Sequence, residues 1–221
     1  METWRQYWTK EKNEIALRLH NGECGGSYGE SVIILCAVIS ALSADVWPGR
    51  NIDRVRFVEL LKKFASSELA VDKISTPLLI AKLQGDNKIN ECDKLKKGLL
   101  NVDYSLVVTG NDVDKYENEI LKACDSLSLK EIREQSYANI LYTEIRSGYA
   151  HEYRPGKRAD SWPMTREETT ISYINWADRP NRNIHFHVQW LSNVALSVAK
   201  AIDEIDNKIP LEIPNKWWVH G

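Results

Sequence analysis

Cysteine is scarce and unpatterned. The 221 residues hold four, Cys24, Cys36, Cys92 and Cys124, with no CxxC pairing, which argues against a zinc ribbon or finger and against a disulfide framework. Cys36 lies in an apolar helical run, where a free thiol behaves as a small hydrophobe. An excess of charge is missing too. With 29 basic and 31 acidic residues the net charge is -2, so the chain has no global attraction for nucleic acid or anionic membrane, and any polyanion site has to be local. The most apolar run, Val32 to Leu42, falls short of the roughly 20 residues that span a bilayer. The charged opening METWRQYWTKEKNE does not resemble a secretory signal. A cytoplasmic protein with no membrane partner is expected. Repeats and low-complexity segments are absent. The Gly-rich stretch NGECGGSYGE lacks the GK[ST] of a P-loop and the GxGxxG of a dinucleotide site, so it reads as a flexible entry to a capped helix rather than a phosphate cradle.

What is present is helical periodicity. A composition 43% hydrophobic and 27% charged is that of an ordinary globular protein, and one domain over 1–221 is the default. SYGESVIILCAVISALSADVW begins with Ser27 and Glu30 at capping-box spacing and is too long for a strand. NIDRVRFVELLKKFAS follows, with Asn51 or Asp53 as its expected cap. STPLLIAKL then has Pro77 where a first helical turn tolerates it. A fourth helix is expected around VDKYENEILKACDSL. A fifth is expected from Ser128, spaced to Glu131 as a capping box, through KEIREQSYANILYTEIRSG.

Residues 152 to 183 change character, with Pro155, Pro163 and Pro180 among several charges. The alternating stretches TTISYIN and NIHFHV flank WADRPNR, the pattern of a β-hairpin inserted at about 152–187. Helical periodicity then resumes in QWLSNVALSVAKAIDEID, and IPLEIPNKWWVHG reads as an irregular tail. The fold class is therefore mainly all-α, a helical bundle with a small β-hairpin insert before the last long helix. On a strand, His185 and His187 share one face. Further ligands at recognisable spacing are lacking, so the pair reads as the polar outer face of a half-buried hairpin, with no metal. Of the eight Trp and nine Tyr, Trp4, Trp8, Trp47, Trp190, Trp217 and Trp218 are expected in the core or an interface. Tyr153, Trp162, Tyr173 and Trp176 lie among Arg154, Lys157, Arg158, Arg166, Arg179 and Arg182, a mixture suited to stacking on unpaired bases. Glu152, Asp160, Glu167, Glu168 and Asp178 nearly balance those cations, so a plain solvated loop is the other reading.

The stretch IRSGYAHEYRPG carries the chemistry. Arg146 and His151 are five apart, about 140° around a continuous helix, and share a site only if the helix ends between them. Gly148 is the expected ending, with Pro155-Gly156 turning the chain away. Arginine supplies a positive fork for phosphate, and imidazole takes or gives a proton near neutral pH. Together they suit cleavage of RNA by its own 2′-OH.

An R-x4-to-6-H motif at the end of a long helix, here Arg146 and His151 in ILYTEIRSGYAHEYRPG, resembles the HEPN superfamily of α-helical domains. The likeness beyond the motif is a helical order over about 27 to 206. It implies a metal-independent endoribonuclease without cofactors, with Arg146 and His151 as the catalytic pair and a composite site formed by a homodimer. RNA would be the substrate, and an antitoxin or regulatory protein would be a possible partner, since the family is common in toxin–antitoxin and antiviral systems. Ser147, Tyr153, Arg154, Lys157 and Arg158 are the expected substrate contacts. Ser147 departs from the Asn, Asp or His often found after the arginine. The other class of function is a non-catalytic helical module binding a protein or nucleotide.

Overall fold

The structure, a computed structural model, describes residues 3–99, 107–161, 170–174, 182–205 and 209–221. It is mainly helical. The helices are α1 (Trp4–His20), α2 (Tyr28–Val46), α3 (Asp53–Phe64), α4 (Thr76–Gly85), α5 (Ile89–Leu99), α6 (Gly110–Val113), α7 (Glu117–Ala123), α8 (Leu129–Arg133), α9 (Tyr137–Ile140), α10 (Ser147–Glu152) and α11 (Val188–Asp203). A π-helical segment, Leu141–Arg146, joins α9 to α10 without a break. Strands β1 (Val107–Thr109), β2 (Ile171–Ile174) and β3 (Asn183–Phe186) form one antiparallel sheet in that order. The hairpin expected in the insert is β2 and β3, with Ile171 opposite Phe186 and Ile174 opposite Asn183. β1 adds a third strand, Val108 opposite Tyr173. Trp162, Arg166, Glu167, Glu168, Trp176, Asp178 and Arg179 lie outside the described residues.

The core is built around α2, which α1, α3 and α11 enclose. Its Val32, Leu35, Ile39 and Val46 are sealed from solvent; burying a side chain of that size is worth about 1.5–3 kcal/mol. By length and composition α2 could cross a membrane, but here it has the position of a core helix. Its capping box is formed as expected, Ser27 N donating to Glu30 Oε2 at 2.8 Å. A second, smaller apolar cluster joins α4, α5, α7 and α8 through Leu79, Leu83, Leu95, Ile120 and Ile132.

Between them lies a buried polar hub. Asp114 accepts from Thr76 N at 2.9 Å, from the Tyr173 hydroxyl at 2.6 Å and from the Tyr137 hydroxyl. Burial pushes its carboxyl up to about 7 against those three donors. Gly110 is required beside it, since a Cβ there would stand 2.8 Å from Asp114 Oδ2 and 2.2 Å from the Tyr137 hydroxyl.

Several expectations are corrected. The fifth helix begins at Ser128 as expected but is not continuous: α8 stops at Arg133, and a fresh helix starts with Ser136 as its cap. The first N–H groups of that helix are satisfied by a crossing segment, Tyr137 N donating to Lys73 O at 3.0 Å and Ala138 N to Val71 O at 2.9 Å. Neither Asn51 nor Asp53 caps α3; Ile52 occupies the cap position, and Asn51 takes φ 62°. Tyr173 is no stacking platform, because its ring is fully buried in the hub. Trp4 is 72% exposed and stacks on Trp8, whereas Trp47 and Trp190 are core residues.

The hairpin also has no polar outer face. His185 and His187 are 3% and 4% exposed, with ring centroids 4.7 Å apart. His187 Nε2 meets Ser172 Oγ at 3.0 Å, His185 Nδ1 meets Asp160 O at 3.1 Å, and the Tyr28 ring lies against His185. Burial lowers both imidazoles, that of His187 to about 4.

Candidate functional site

The helix from Tyr137 to Glu152 carries the Arg/His motif, and its middle is loosened. Thr143 Oγ1 bonds back to Asn139 O at 3.0 Å, and Ser147 N reaches Tyr142 O five residues back. That π turn places Arg146 over the face of Tyr142, 5.1 Å from guanidinium to ring centroid. Tyr142 in turn packs edge-on to Phe57 of α3. Arg146 is half-buried and, among the described residues, donates to no carboxylate or carbonyl.

The helix does not end at Gly148, contrary to expectation. It continues to Glu152 and stops where Tyr153 turns left-handed at φ 56°. Gly148 serves a close approach instead: a Cβ there would stand 2.6 Å from Arg154 O and 2.9 Å from Gly156 N. The RPG segment folds back along the helix and is clamped by Glu144. Gly156 N donates to Glu144 O at 2.7 Å, Arg158 Nε to Glu144 Oε1 at 2.8 Å, and Arg158 Nη1 to Gln135 Oε1 at 2.8 Å. Asp160 N and Ile184 O, 2.9 Å apart, then tie the loop to β3.

Folding back creates an open pocket of about 580 Å³ beside the last helical turn. His151, Ser147, Arg154 and Lys157 line it, with Gly148 and Asn183. His151 and Lys157 are exposed and have no hydrogen-bond or ion-pair partner among the described residues. Arg154 is held by Glu152 at 2.7 Å, an exposed pair of little energetic weight. Arg158 is mainly a strut, bound to Glu144. Tyr153 faces a neighbouring cavity of about 530 Å³ with Tyr28 and Tyr149, its hydroxyl donating to Glu30. Hydrogen bonds from Ser27 and Tyr153 hold the Glu30 carboxyl down at about 2.

One chain therefore groups His151, Ser147, Arg154 and Lys157, and leaves Arg146 off that pocket, around the helix toward α2 and α3. Asn183, on the pocket wall, was not singled out from the sequence; nothing in its local spacing marks it. Among the described residues no three His, Cys, Asp or Glu side chains are grouped as a metal would need. The four cysteines are free. The chain matches no protein-family model, no curated protein and no solved structure.

Proposed function

We propose that the chain is a metal-independent endoribonuclease of the HEPN type, acting in the cytoplasm as a homodimer in toxin–antitoxin or antiviral defence. The observation that carries this reading is the pair itself. Arg146 and His151 close one long helix, both reach solvent, and neither is neutralised by a carboxylate among the described residues. Since they diverge around the helix by about 140°, one chain does not aim them at one phosphate. A two-fold axis running past the helix end would set His151 of one protomer against Arg146 of the other.

In such a site the imidazole takes the proton of the RNA 2′-OH. The 2′-oxygen bonds to phosphorus as the bond to the 5′-oxygen breaks, and a protonated imidazole returns a proton to that leaving oxygen. The guanidinium binds the phosphoryl oxygens as their charge grows. The products are a 2′,3′-cyclic phosphate and a 5′-OH.

Mixing two inactive variants tests the arrangement. Arg146→Ala and His151→Ala chains, refolded together, form heterodimers with one intact composite site, so about a quarter of wild-type cleavage returns on random pairing. No recovery, with heterodimers verified by mass, would overturn the shared site. Cleavage that vanishes in EDTA and returns with Mg²⁺ would overturn the metal-independent chemistry. The second reading, a non-catalytic module binding a protein partner, draws on the exposed aromatics of α1, where Trp4 stacks on Trp8 and Tyr7 is 53% exposed.

A further inference from the structure

The His151 pocket does not end at Lys157. Lys157 and Asn183 also line a second pocket, of about 270 Å³, whose far walls bring Lys82 from α4, Arg158 from the clamped loop and Arg182 from the start of β3. The two pockets adjoin along these shared residues. Glu144 meets Arg158, Asp86 meets Lys82 and Glu152 meets Arg154, with Asp160 in the wall, while among the described residues Lys157 has no carboxylate partner. A second observation is independent of charge. Asn183 is only 7% exposed and lines both pockets, and among the described residues its side-chain amide has no hydrogen-bond partner. Its polar atoms are not among those sealed from solvent without a partner, so the amide offers donor and acceptor capacity to a ligand in the pocket. Among the described residues no Phe, Tyr or Trp lines either pocket, so phosphates and base edges are the contacts these walls offer an occupant.

We infer that the two pockets form one groove for single-stranded RNA, running from His151 past Lys157 and Asn183 to Lys82 and Arg182. The groove deepens the ribonuclease reading and rests on it for placing the scissile phosphate beside His151. Phosphates flanking that bond lie against Lys157 and Lys82, and Asn183 meets the edge of an intervening base. The strand is unpaired because only a base free of its partner can bring its edge to a group so enclosed.

The test is fluorescence anisotropy with a labelled 2′-O-methyl oligonucleotide of about eight residues, which spans a typical single-strand site and has no 2′-OH to attack. Lys82→Ala and Lys157→Ala should each weaken binding about three- to tenfold at 0.1 M salt and reduce the log–log salt slope by about 0.7. Asn183→Ala should weaken binding with the slope unchanged. A duplex of the same sequence should bind less tightly, and equal binding overturns the single-strand assignment. Wild-type affinity and slope in both lysine variants, at wild-type melting temperature, overturn the groove. If the protein binds the probe but cleaves no RNA, the ribonuclease reading falls and the groove stands. If RNA is cleaved while the lysine variants bind normally, the groove alone falls.

Discussion

His151 and His187 are the same side chain in opposite surroundings. His151 stands exposed at a helix end, without a bonding partner among the described residues, beside Arg154 and Lys157. His187 is enclosed, fixed to Ser172 Oγ and packed edge-on to His185. Proton transfer needs an imidazole that substrate can reach and that changes charge near working pH. A histidine pushed down to about 4 by burial is neutral there and contributes packing and a hydrogen bond instead. Of the two histidine-bearing stretches, IHFHV has the more conspicuous spacing, but its environment gives it to the fold.

The largest effect expected from this contrast is on cleavage. His151→Ala and Arg146→Ala should each lower kcat by about 10²- to 10⁴-fold, the worth of a proton-transfer group or of an oxyanion-stabilising donor. Melting temperatures should stay within a degree or two, because among the described residues neither side chain makes a hydrogen bond or ion pair and the Arg146 stacking on Tyr142 is a single weak contact. If both variants melt several degrees low and the wild type cleaves no RNA between about pH 6 and 9, the binding module takes the place of the nuclease.

His187→Ala should reverse that pattern. It leaves Ser172 without its partner and opens a cavity, a loss of about 2–3 kcal/mol, or roughly 4–12 °C of Tm for a chain of this size. Cleavage at moderate temperature should stay near wild type. Lost cleavage at an unchanged Tm would exchange the roles of the two histidines.

The buried groups also set a pH dependence. His187, at about 4 when folded against 6.5 ordinarily, contributes stability that is fully present above 6.5 and is lost as pH falls toward 4. Asp114, raised from 3.8 to about 7, does the reverse: its contribution is present below 3.8 and is lost as pH rises through 7. Over the shared window the two slopes oppose each other. Asp114→Asn, which keeps an acceptor for Thr76 N, removes one of them, so its Tm should fall more steeply than that of the wild type between pH 7 and 4. Parallel Tm curves would refute the opposition.

Gly148→Ala is the smallest change and the sharpest for the site. Its methyl would meet Arg154 O, so the RPG loop has to shift, at a cost of about 1–2 kcal/mol. Cleavage should drop mainly through KM as Lys157 moves. A gain in stability would refute the close approach of the returning loop and leave Gly148 an ordinary helical position.

The sequence by itself determined the features whose causes lie within about four residues. The capping boxes of Ser27 with Glu30 and of Ser128 with Glu131 form as spaced, Pro77 starts α4, and the alternation of ISYI and NIHF becomes β2 and β3. The helix bearing Arg146 and His151 was legible for the same reason, since the apolar period and the Arg/His spacing are both local. Helix α1, strand β1 and the restart at Ser136 were not legible, because each is decided by a remote partner: α2 and α11 for α1, β2 for β1, and the carbonyls of Val71 and Lys73 for the restart. Only the tertiary structure decided which histidines meet water, that Gly148 makes room for a returning loop, and that Asn183 and Lys82 line one pocket with Lys157. Burial and convergence depend on chain segments tens of residues apart, and no local spacing encodes which of them will pack together.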